Sequence, residues 1–440
     1  MDMHQRLDLI KQVGEEIISE DELVELLKEK EHPIAYDGFE PSGRIHIAQG
    51  ILRAINVNKL TKAGIKFKFW VADWFALMNN KMDGDLEKIR TVGKYFIEVW
   101  KACGMDLENV EFLWASENMG QEYWLNVIRI GTMNTVTRIT RCAQIMGRTG
   151  DSKLSAAQIF YPCMQANDIF HLDVDIAQLG MDQRKVNVLA REVAKKMGKK
   201  KPIAVHHHML MGLGQSKPAL EFLPVIKEEF LAQYPDQMKT LEEVYPEQLA
   251  EFKEQVQKHY QSLAKRVDAF VDKQARLIES GRKSSDPSDK TRQMLKELKQ
   301  EWRDIYGDYF NMLQTSKKMS KSNPDTAIFM TDTTKQIQKK FSKAFCPEGE
   351  AEDNPVLEYC KYIVFEKVDE FVIERPEKWG GNLTYSSYSE LEKDFVEKKL
   401  HPMDLKSATA KYIDQLLEPV RAHFKENAEA KALLEKVESF

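Results

Sequence analysis

Apolar and polar residues alternate along the first 215 residues in a way that predicts helices separated by short strands. Apolar residues recur at three- and four-residue steps over residues 1–30, which predicts one or two helices. Short apolar runs at 33–36 and 66–73 flank a helical pattern over about 45–62. A strand, a helix and a second strand at this spacing predict a βαβ unit with parallel strands and a right-handed crossover. The same patterns predict further helices at about 85–103, 120–145, 155–168 and 183–198, and further strands at 173–179 and 202–206.

The second half of the chain carries longer helical patterns. Over 216–315, two stretches with apolar residues at helical steps surround a polar break, which predicts an antiparallel helical hairpin. Such a hairpin is either a structural insertion or an arm that contacts RNA or a partner. Beyond about residue 332 the pattern is helical again, interrupted by a segment with proline and glycine at 374–381. The predicted division is an α/β domain at 1–215 with a helical subdomain at about 110–165, then the hairpin, a closing segment at 316–335 and a helical domain at 336–440.

Composition and charge suit a soluble globular protein. Of the 440 residues, 42% are hydrophobic and 30% are charged, which is enough for two or three packed domains. The formal net charge of -5 argues against a protein that coats nucleic acid through bulk positive charge, so any RNA contact has to be local.

Cysteine usage and the N-terminal sequence bear on the compartment. The five cysteines are scattered without a C-x-x-C pair, which predicts neither a disulfide framework nor a cysteine zinc site. The N-terminal residues lack an apolar signal core, and no apolar run approaches the ~18 residues of a membrane span. We therefore expect a cytoplasmic protein.

Two short segments carry chemistry that suits a polyphosphate. Lys318-Met319-Ser320-Lys321-Ser322 places two lysines and two hydroxyls on a short loop, which suits a group that is held in a transition state and then released. Alone, this loop could equally be a solvated basic turn. The second segment, residues 41–50, contains His46 at a predicted strand-to-helix turn, where backbone N–H groups and the helix dipole attract a phosphate. A lone histidine at such a turn is more often structural.

Together the two segments resemble the paired ATP signatures of class I aminoacyl-tRNA synthetases. Against the His-Ile-Gly-His pattern of that class, the chain keeps His46 and Ile47 but has Ala48 and Gln49. Gln49 can donate a hydrogen bond but cannot carry charge, so its role stays open. The resemblance implies catalytic roles for His46, Gln49, Lys318 and Lys321. It also implies that ATP is bound by Gly43, His46, Gln49, Lys318, Ser320 and Lys321. The ATP would be bound as Mg-ATP, without a metal that the protein itself ligates tightly.

Three further segments, at 36–43, 161–168 and 180–185, resemble tyrosyl-tRNA synthetases of the eukaryotic and archaeal type. The resemblance covers the chain except for about 216–315. It implies a Rossmann-like class I fold with an inserted hairpin and a helical anticodon-binding domain. The implied activity is tyrosine–tRNA ligation, in which tyrosine and ATP give tyrosyl-adenylate and the tyrosyl group is transferred to the terminal adenosine of tRNA(Tyr). Members of this family are homodimers.

The resemblance also assigns roles in amino-acid binding. It implies that Tyr36 and Asp168 bind the substrate phenol, and that Tyr161, Gln165 and Gln183 bind the α-ammonium group. The sequence supports part of this set, since Tyr161, Gln165 and Asp168 share one face of a predicted helix. Phenylalanine would leave a buried carboxylate unpaired, which is unfavourable. The alternative for Asp168 is a helix-capping or salt-bridged carboxylate.

For the tRNA, the resemblance matches Trp379 to an aromatic residue that stacks on the first anticodon base and Asp404 to a carboxylate that reads it. Stacking combined with edge readout is a usual way to recognise single-stranded RNA. Trp379 could instead be a packing residue beside two glycines. Arg184 and Lys185 are further candidates for contacts with the acceptor stem.

Three other interpretations were weighed against this one. A tryptophanyl-tRNA synthetase would share the ATP segments, but Tyr36 and Asp168 suit a hydroxyl better than an indole. A non-catalytic RNA-binding protein of the same fold is disfavoured by the intact lysine pair. The run 206–208 contains three histidines, but adjacent residues of a strand point to opposite faces, so a metal site is not predicted.

Overall fold

The structure is a computed structural model that describes residues 1–143, 154–214, 318–319, 321 and 323–440. The predicted hairpin at 216–315 and Ser320 of the lysine loop lie outside this part of the chain.

The described residues form strands and helices, several of which lie where the sequence patterns predict them. The strands are β1 Gly14–Ile18, β2 Ile34–Phe39, β3 Lys66–Val71, β4 Val110–Trp114, β5 Ile176–Gly180, β6 Ile203–His207, β7 Phe371–Ile373 and β8 Leu383–Tyr385. The helices are α1 Met3–Val13, α2 Glu20–Glu29, α3 Ile51–Lys62, α4 Asp73–Met78, α5 Leu86–Ala102, α6 Ala115–Asn118, α7 Gln121–Thr132, α8 Val136–Cys142, α9 Ala156–His171, α10 Arg184–Ala194, α11 Thr334–Ser342, α12 Pro355–Tyr359, α13 Tyr388–Val396, α14 Pro402–Glu426 and α15 Ala428–Ser439.

A six-stranded sheet with the order β1-β6-β5-β2-β3-β4 forms the centre of the α/β region. Strands β2 to β6 pair in parallel, whereas β1 is antiparallel to β6 at the edge. The predicted βαβ unit of β2, α3 and β3 is confirmed. In such sheets ligands bind at the carboxyl ends of the strands, and Tyr36 and Asp37 lie near that end of β2.

The predicted helices at 1–30 are interrupted by β1, which was missed. Ile17 and Ile18 pair with Val205 and Ala204 of β6. Residues 14–18 are extended because they pair with a distant strand. Over so few positions, the spacing of apolar residues favours a helix only weakly, so this pairing outweighs it. The α2 helix begins after Ser19, whose side chain accepts from the amide of Glu22 as the N-cap.

The predicted helix at 45–62 begins only at Ile51, so the first part of the prediction was wrong. The amide of Ile47 donates to the carbonyl of Ile328 at 2.8 Å, and the amide of Met330 donates to Ile45 at 3.0 Å. Residues 45–47 are therefore extended, paired with 328–330 from the far half of the chain. Gly50 permits this approach, because a Cβ there would lie 2.3 Å from the sulfur of Met330.

The helical subdomain predicted at about 110–165 begins with a strand instead. Residues 110–114 form β4, an edge strand that pairs with β3, so the helical part starts at Ala115. The predicted helix at 120–145 is divided into α7 and α8, because Thr135 caps a new helix with its side chain. Ser155 forms a capping box with Gln158 at the start of α9, as expected for a helix that begins there.

The C-terminal region is mostly helical, as predicted, but it also contains the short hairpin of β7 and β8. Gly380 and Gly381 between these strands have positive φ angles, a conformation that glycine adopts without strain. One hydrophobic cluster extends from Phe67 and Phe69 of the sheet to Phe424 of α14. Among the described residues, no helix has the length and apolar character required to cross a bilayer.

Candidate active site

A cavity of about 560 Å³ opens at the carboxyl ends of β2 and β5. The structure brings most of the predicted site residues together around it, although they come from four separate segments of the chain. Gly43 is not among the lining residues, and it forms the turn before them with φ +87°. The lining includes Tyr36, His46, Gln49, Tyr161, Gln165, Asp168, Gln183, Lys318 and Lys321.

The carboxylate of Asp168 and the hydroxyl of Tyr36 lie at the buried end of the cavity. Asp168 is 2% exposed, and burial raises its pKa well above the usual value. The hydroxyl of Tyr123 donates to Oδ1 of Asp168 at 2.6 Å. The buried hydroxyl of Tyr36 has no hydrogen-bond partner among the described residues. Burial and the nearby charge of Asp168 both raise the pKa of Tyr36, so this hydroxyl keeps its proton.

The alternative for Asp168 was a helix-capping or salt-bridged carboxylate. Asp168 lies in the last turn of α9, so it does not cap the helix N-terminus, and its described side-chain partner is the hydroxyl of Tyr123 rather than a cation. A carboxylate that accepts and a hydroxyl that needs a partner together suit a ligand hydroxyl, which can donate to one and accept from the other. Tyr123 was not predicted, because it lies 45 residues from Asp168 in sequence and no local pattern marks the contact.

Oxygen acceptors gather beside this end of the cavity. The hydroxyl of Tyr161 donates to Oε1 of Glu40 at 2.5 Å, and Asn79 donates to the same oxygen at 2.6 Å. Burial raises the pKa of Glu40. The Nε2 of Gln165 donates to Oε1 of Gln183 at 3.1 Å, whereas the buried Oε1 of Gln165 lacks a partner among the described residues. This arrangement suits an ammonium group, which only donates. Glu40 was missed as a site residue, although it lies at the end of β2 within a segment that the sequence singles out.

The two loop lysines also line the cavity. The Nζ of Lys318 lies 2.7 Å from Oδ2 of Asp182. The Nζ of Lys321 donates to Oγ of Ser42 at 3.2 Å. Burial and the charge of Lys81 lower the pKa of Lys321 to about 7, against the opposing effect of Glu40. Lys81 also lines the cavity and was missed. Because its charge is unfavourable at this position, Lys321 is suited to receive an anion.

His46 is held as a neutral imidazole. It is 8% exposed, and burial lowers its pKa well below the usual value, with further lowering by Lys321 and Lys318. Its buried Nδ1 has no partner among the described residues. The backbone carbonyl of Gln49 accepts from the indole of Trp100 at 2.8 Å, whereas its side-chain Oε1 is buried and without a partner in the described part. Both side chains are available for a ligand.

A family model described as "tRNA synthetases class I (W and Y)" matches residues 28–218 and 286–418, more than half of the chain. The chain belongs to this class I family. Among curated relatives, tyrosine–tRNA ligase 1, cytoplasmic, of Arabidopsis thaliana is 41% identical, and the match covers the whole chain and 89% of that protein.

Two solved structures agree with this membership of the class I synthetases. Tyrosyl-tRNA synthetase of Pyrococcus horikoshii, complexed with L-tyrosine, is 33% identical with a TM-score of 0.73, covering 99% of this chain and 100% of that one. The Leishmania major enzyme in complex with tyrosinol is 38% identical with a TM-score of 0.73. This synthetase chain is covered in full by that match but spans only 61% of the Leishmania chain.

A buried polar network underlies the cavity of this class I synthetase. Arg53 is 3% exposed, and its Nη2 lies 2.9 Å from Oδ2 of Asp37. Its Nη1 donates to Gln178 at 2.6 Å, and Nη2 lies 2.6 Å from Nε2 of His207. Burial raises the pKa of Asp37 to about 7, although Arg53 opposes this. No local sequence pattern predicts this network, because its members lie on three different strands and a helix.

The three adjacent histidines have separate partners. His206 lies 2.8 Å from Glu16, His207 faces Arg53, and His208 lies 3.1 Å from Glu358. The described residues contain no group of three or more histidine, cysteine or carboxylate side chains that could hold a metal.

The candidate tRNA-binding residues lie outside the cavity. Trp379 is 67% exposed, so packing does not explain its position, and Lys378 lies 5.5 Å from the centre of its ring. Asp404 is half-buried in the first turn of α14. Arg184 pairs with Glu16 at 2.8 Å, at the start of α10 where Lys185 follows it.

Proposed function

We propose that this class I synthetase is a tyrosine–tRNA ligase, which activates L-tyrosine with Mg-ATP and transfers the tyrosyl group to the 3′-terminal adenosine of tRNA(Tyr). The observation that carries the proposal is the buried end of the cavity, where Asp168 is an acceptor and the Tyr36 hydroxyl has no hydrogen-bond partner within the described part of the chain. A substrate phenol donates to Asp168 and accepts from Tyr36, which satisfies both groups.

The remaining groups support activation of the carboxylate. Glu40, Gln165 and Gln183 hold the α-ammonium group, which directs the tyrosine carboxylate toward the lysines. A carboxylate oxygen attacks the α-phosphorus of ATP, and the bond from that phosphorus to the bridging oxygen breaks. The departing pyrophosphate takes the bonding electrons, and the charges of Lys318 and Lys321 stabilise it. A hydroxyl of the terminal adenosine of the tRNA then attacks the activated carbonyl, and AMP leaves.

Tryptophan fits the buried end less well. An indole N–H could donate to Asp168, but it has no lone pair in the ring plane to accept the proton of the Tyr36 hydroxyl. Leaving that buried hydroxyl without a partner costs about 1–3 kcal/mol. The curated relatives are also named as tyrosine ligases.

The deciding experiment is amino-acid-dependent exchange of labelled pyrophosphate into ATP. Tyrosine is expected to stimulate exchange, and tryptophan and phenylalanine at the same concentration are not. Stimulation by tryptophan alone would favour the tryptophanyl enzyme. A flat response to all three amino acids would favour a non-catalytic RNA-binding protein.

The exposed ring of Trp379 supports recognition of the tRNA anticodon by the C-terminal region. Replacing Trp379 with alanine is expected to raise the KM for tRNA(Tyr) by ~5- to 150-fold, because stacking on a base contributes about 1–3 kcal/mol. Pyrophosphate exchange does not use the anticodon, so its rate stays unchanged. Aminoacylation kinetics measure the effect, and Phe440→Ala, which removes another exposed aromatic ring, is the control. An unchanged KM for the tRNA would remove Trp379 from the interface.

Exposed apolar side chains on α7 to α9 support a homodimer. Trp124, Leu125 and Ile128 of α7, with Val136 and Phe160 on the neighbouring helices, are between 37% and 69% exposed. Apolar surface of this kind often marks a contact between subunits.

We also propose a cytoplasmic location, which is the location named for the Arabidopsis relatives.

The homodimer is tested by placing a charge on that surface. The parent chain is expected to sediment with twice its mass of 51.0 kDa, and Ile128→Glu to sediment as a monomer, because a buried charge without a partner is strongly unfavourable. Leu107→Glu changes an exposed leucine elsewhere and is expected to leave the dimer intact. A monomeric parent, or a dimer that tolerates Ile128→Glu, would contradict the proposal.

A further inference from the structure

The segment 208–213 supports the first lysine of the loop. Met211 and Lys318 form an antiparallel bridge, and the amide of Met319 donates to the carbonyl of Leu210 at 2.8 Å. Met319 itself is 3% exposed, so the start of the loop is packed rather than free. The position of Lys318 in the cavity therefore depends on the position of the 208–213 segment.

Glu358 of α12 holds the 208–213 segment at two points. Its Oε2 accepts from the amide of Met211 at 2.9 Å, and its Oε1 lies 3.1 Å from Nε2 of His208. The two side chains are largely buried, with exposed fractions of 19% for Glu358 and 17% for His208. A carboxylate that accepts both a backbone amide and a charged donor fixes the segment more firmly than either bond alone. Glu358 does not line the cavity, so it acts on the site only through this segment.

His208 is held on its other side by the edge strand. Its Nδ1 lies 3.4 Å from Oε2 of Glu15 in β1, and its ring stacks on Tyr362 with centroids 4.2 Å apart. Burial alone would lower the pKa of His208, but the bonds with Glu15 and Glu358 outweigh burial and raise the pKa to about 9. The imidazolium is therefore the form present at neutral pH.

We propose that Glu358 and His208 form a clamp that positions Lys318 for adenylate formation. The proposal rests on the ligase function given above and adds two positioning residues to it. Glu358 comes from the C-terminal helical region, so that region contributes to the geometry of the chemical step as well as to the tRNA contact. His208 lines the same cavity as Tyr36 and Asp168, whereas Glu358 does not.

The first test is Glu358→Gln, which keeps the size of the side chain and removes its charge. The kcat of tyrosine-dependent pyrophosphate exchange is expected to fall about tenfold, because a charge-assisted hydrogen bond is lost. The KM for tyrosine is expected to change less than about twofold, because the amino-acid groups are untouched. Glu366→Gln is the matched control, since it breaks another ion pair between the C-terminal region and the α/β region, Glu366 with Lys59 at 2.7 Å, and is expected to leave kcat unchanged.

A double-mutant cycle shows whether Glu358 acts through Lys318. In a Lys318→Met background, Glu358→Gln is expected to have no further effect on kcat, because the group that it positions is absent. Two losses that multiply would overturn the proposal in favour of a general effect on stability. If Glu358→Gln does not fold, as judged by circular dichroism, the same cycle with His208→Gln decides the question.

The pH dependence provides an independent readout. The ratio of parent kcat to His208→Gln kcat is expected to fall as the pH rises through about 9, because the parent then loses the imidazolium. The titratable groups that face His208 are Glu15, Glu358 and Tyr362. Lys361 lies near Glu15, and His206 and His207 precede His208 at the end of β6. A ratio that is constant from pH 7 to 10 would overturn the role of His208.

The two proposals fail in different ways. A parent chain without tyrosine-dependent exchange would contradict the ligase function itself. An active parent with a Glu358→Gln variant of equal kcat would contradict the clamp alone.

Discussion

Replacing Asp168 with asparagine is expected to lower kcat/KM for tyrosine by ~10- to 150-fold, because a hydrogen bond to a charged group contributes about 1.5–3 kcal/mol. The carboxylate is buried and has one described donor, Tyr123, so the substrate phenol supplies the other. Asparagine has nearly the same shape but replaces one acceptor oxygen with a donor. The ratio of kcat/KM for tyrosine to kcat/KM for phenylalanine is therefore expected to decrease. Pyrophosphate exchange with each amino acid measures this ratio.

Tyr123→Phe is the matched control for this prediction. It removes the donor on the protein side and leaves the carboxylate that the substrate meets, so the loss is smaller than for Asp168→Asn. The KM for ATP stays the same in both variants, because neither residue belongs to the segments that contain His46 and the loop lysines. A tyrosine preference unchanged by Asp168→Asn would contradict the assignment of the buried end.

Lys321→Met is expected to slow adenylate formation by ~100- to 1000-fold, which is the typical effect of removing one group that stabilises charge in a transition state. The dissociation constant for tyrosine stays the same, because the amino-acid groups belong to other segments. Rapid-quench measurement of adenylate at saturating tyrosine gives the rate. Lys335→Met changes an exposed lysine of α11 and is expected to retain the parent rate. Weaker tyrosine binding, or an unchanged rate, would contradict the role of Lys321.

The same variant is expected to be more stable than the parent. The pKa of Lys321 is about 7 in the folded chain, against 10.5 for an unperturbed lysine. The unfolded chain therefore binds more protons between these values, and the parent gains stability as the pH rises through this window. The excess Tm of Lys321→Met is accordingly largest at pH 7 and below, and it shrinks toward pH 10.5. Thermal unfolding across this range would reveal the trend, and an equal Tm at pH 7 would contradict it.

The sequence predicts those parts of the site that lie in short continuous segments. Tyr36, Tyr161 and Lys318 each belong to a segment whose residue types and order resemble a known site, and all three line the cavity. Residues that act through distant contacts escaped prediction. Tyr123 is recognisable only once α7 packs on α9, and the pair of Asp37 and Arg53 only once β2 lies against α3.

The same limit applies to the fold. The helices and parallel strands with strong periodic patterns are present, because their local preference and their packing agree. The exceptions are β1 and residues 45–47, whose backbones are extended because each pairs with a distant strand or segment. Such pairings depend on the tertiary structure, and a short window of neighbouring residues carries no information about the distant partner.

The pairing of residues 45–47 with 328–330 has a consequence for synthesis of the protein. His46 emerges from the ribosome early, but the backbone that fixes its segment follows more than 280 residues later. A nascent chain of 300 residues can build most of the parallel sheet while the ATP pocket is still open on one side. The segment with His46 therefore gains this backbone partner only after residues 328–330 have been synthesised.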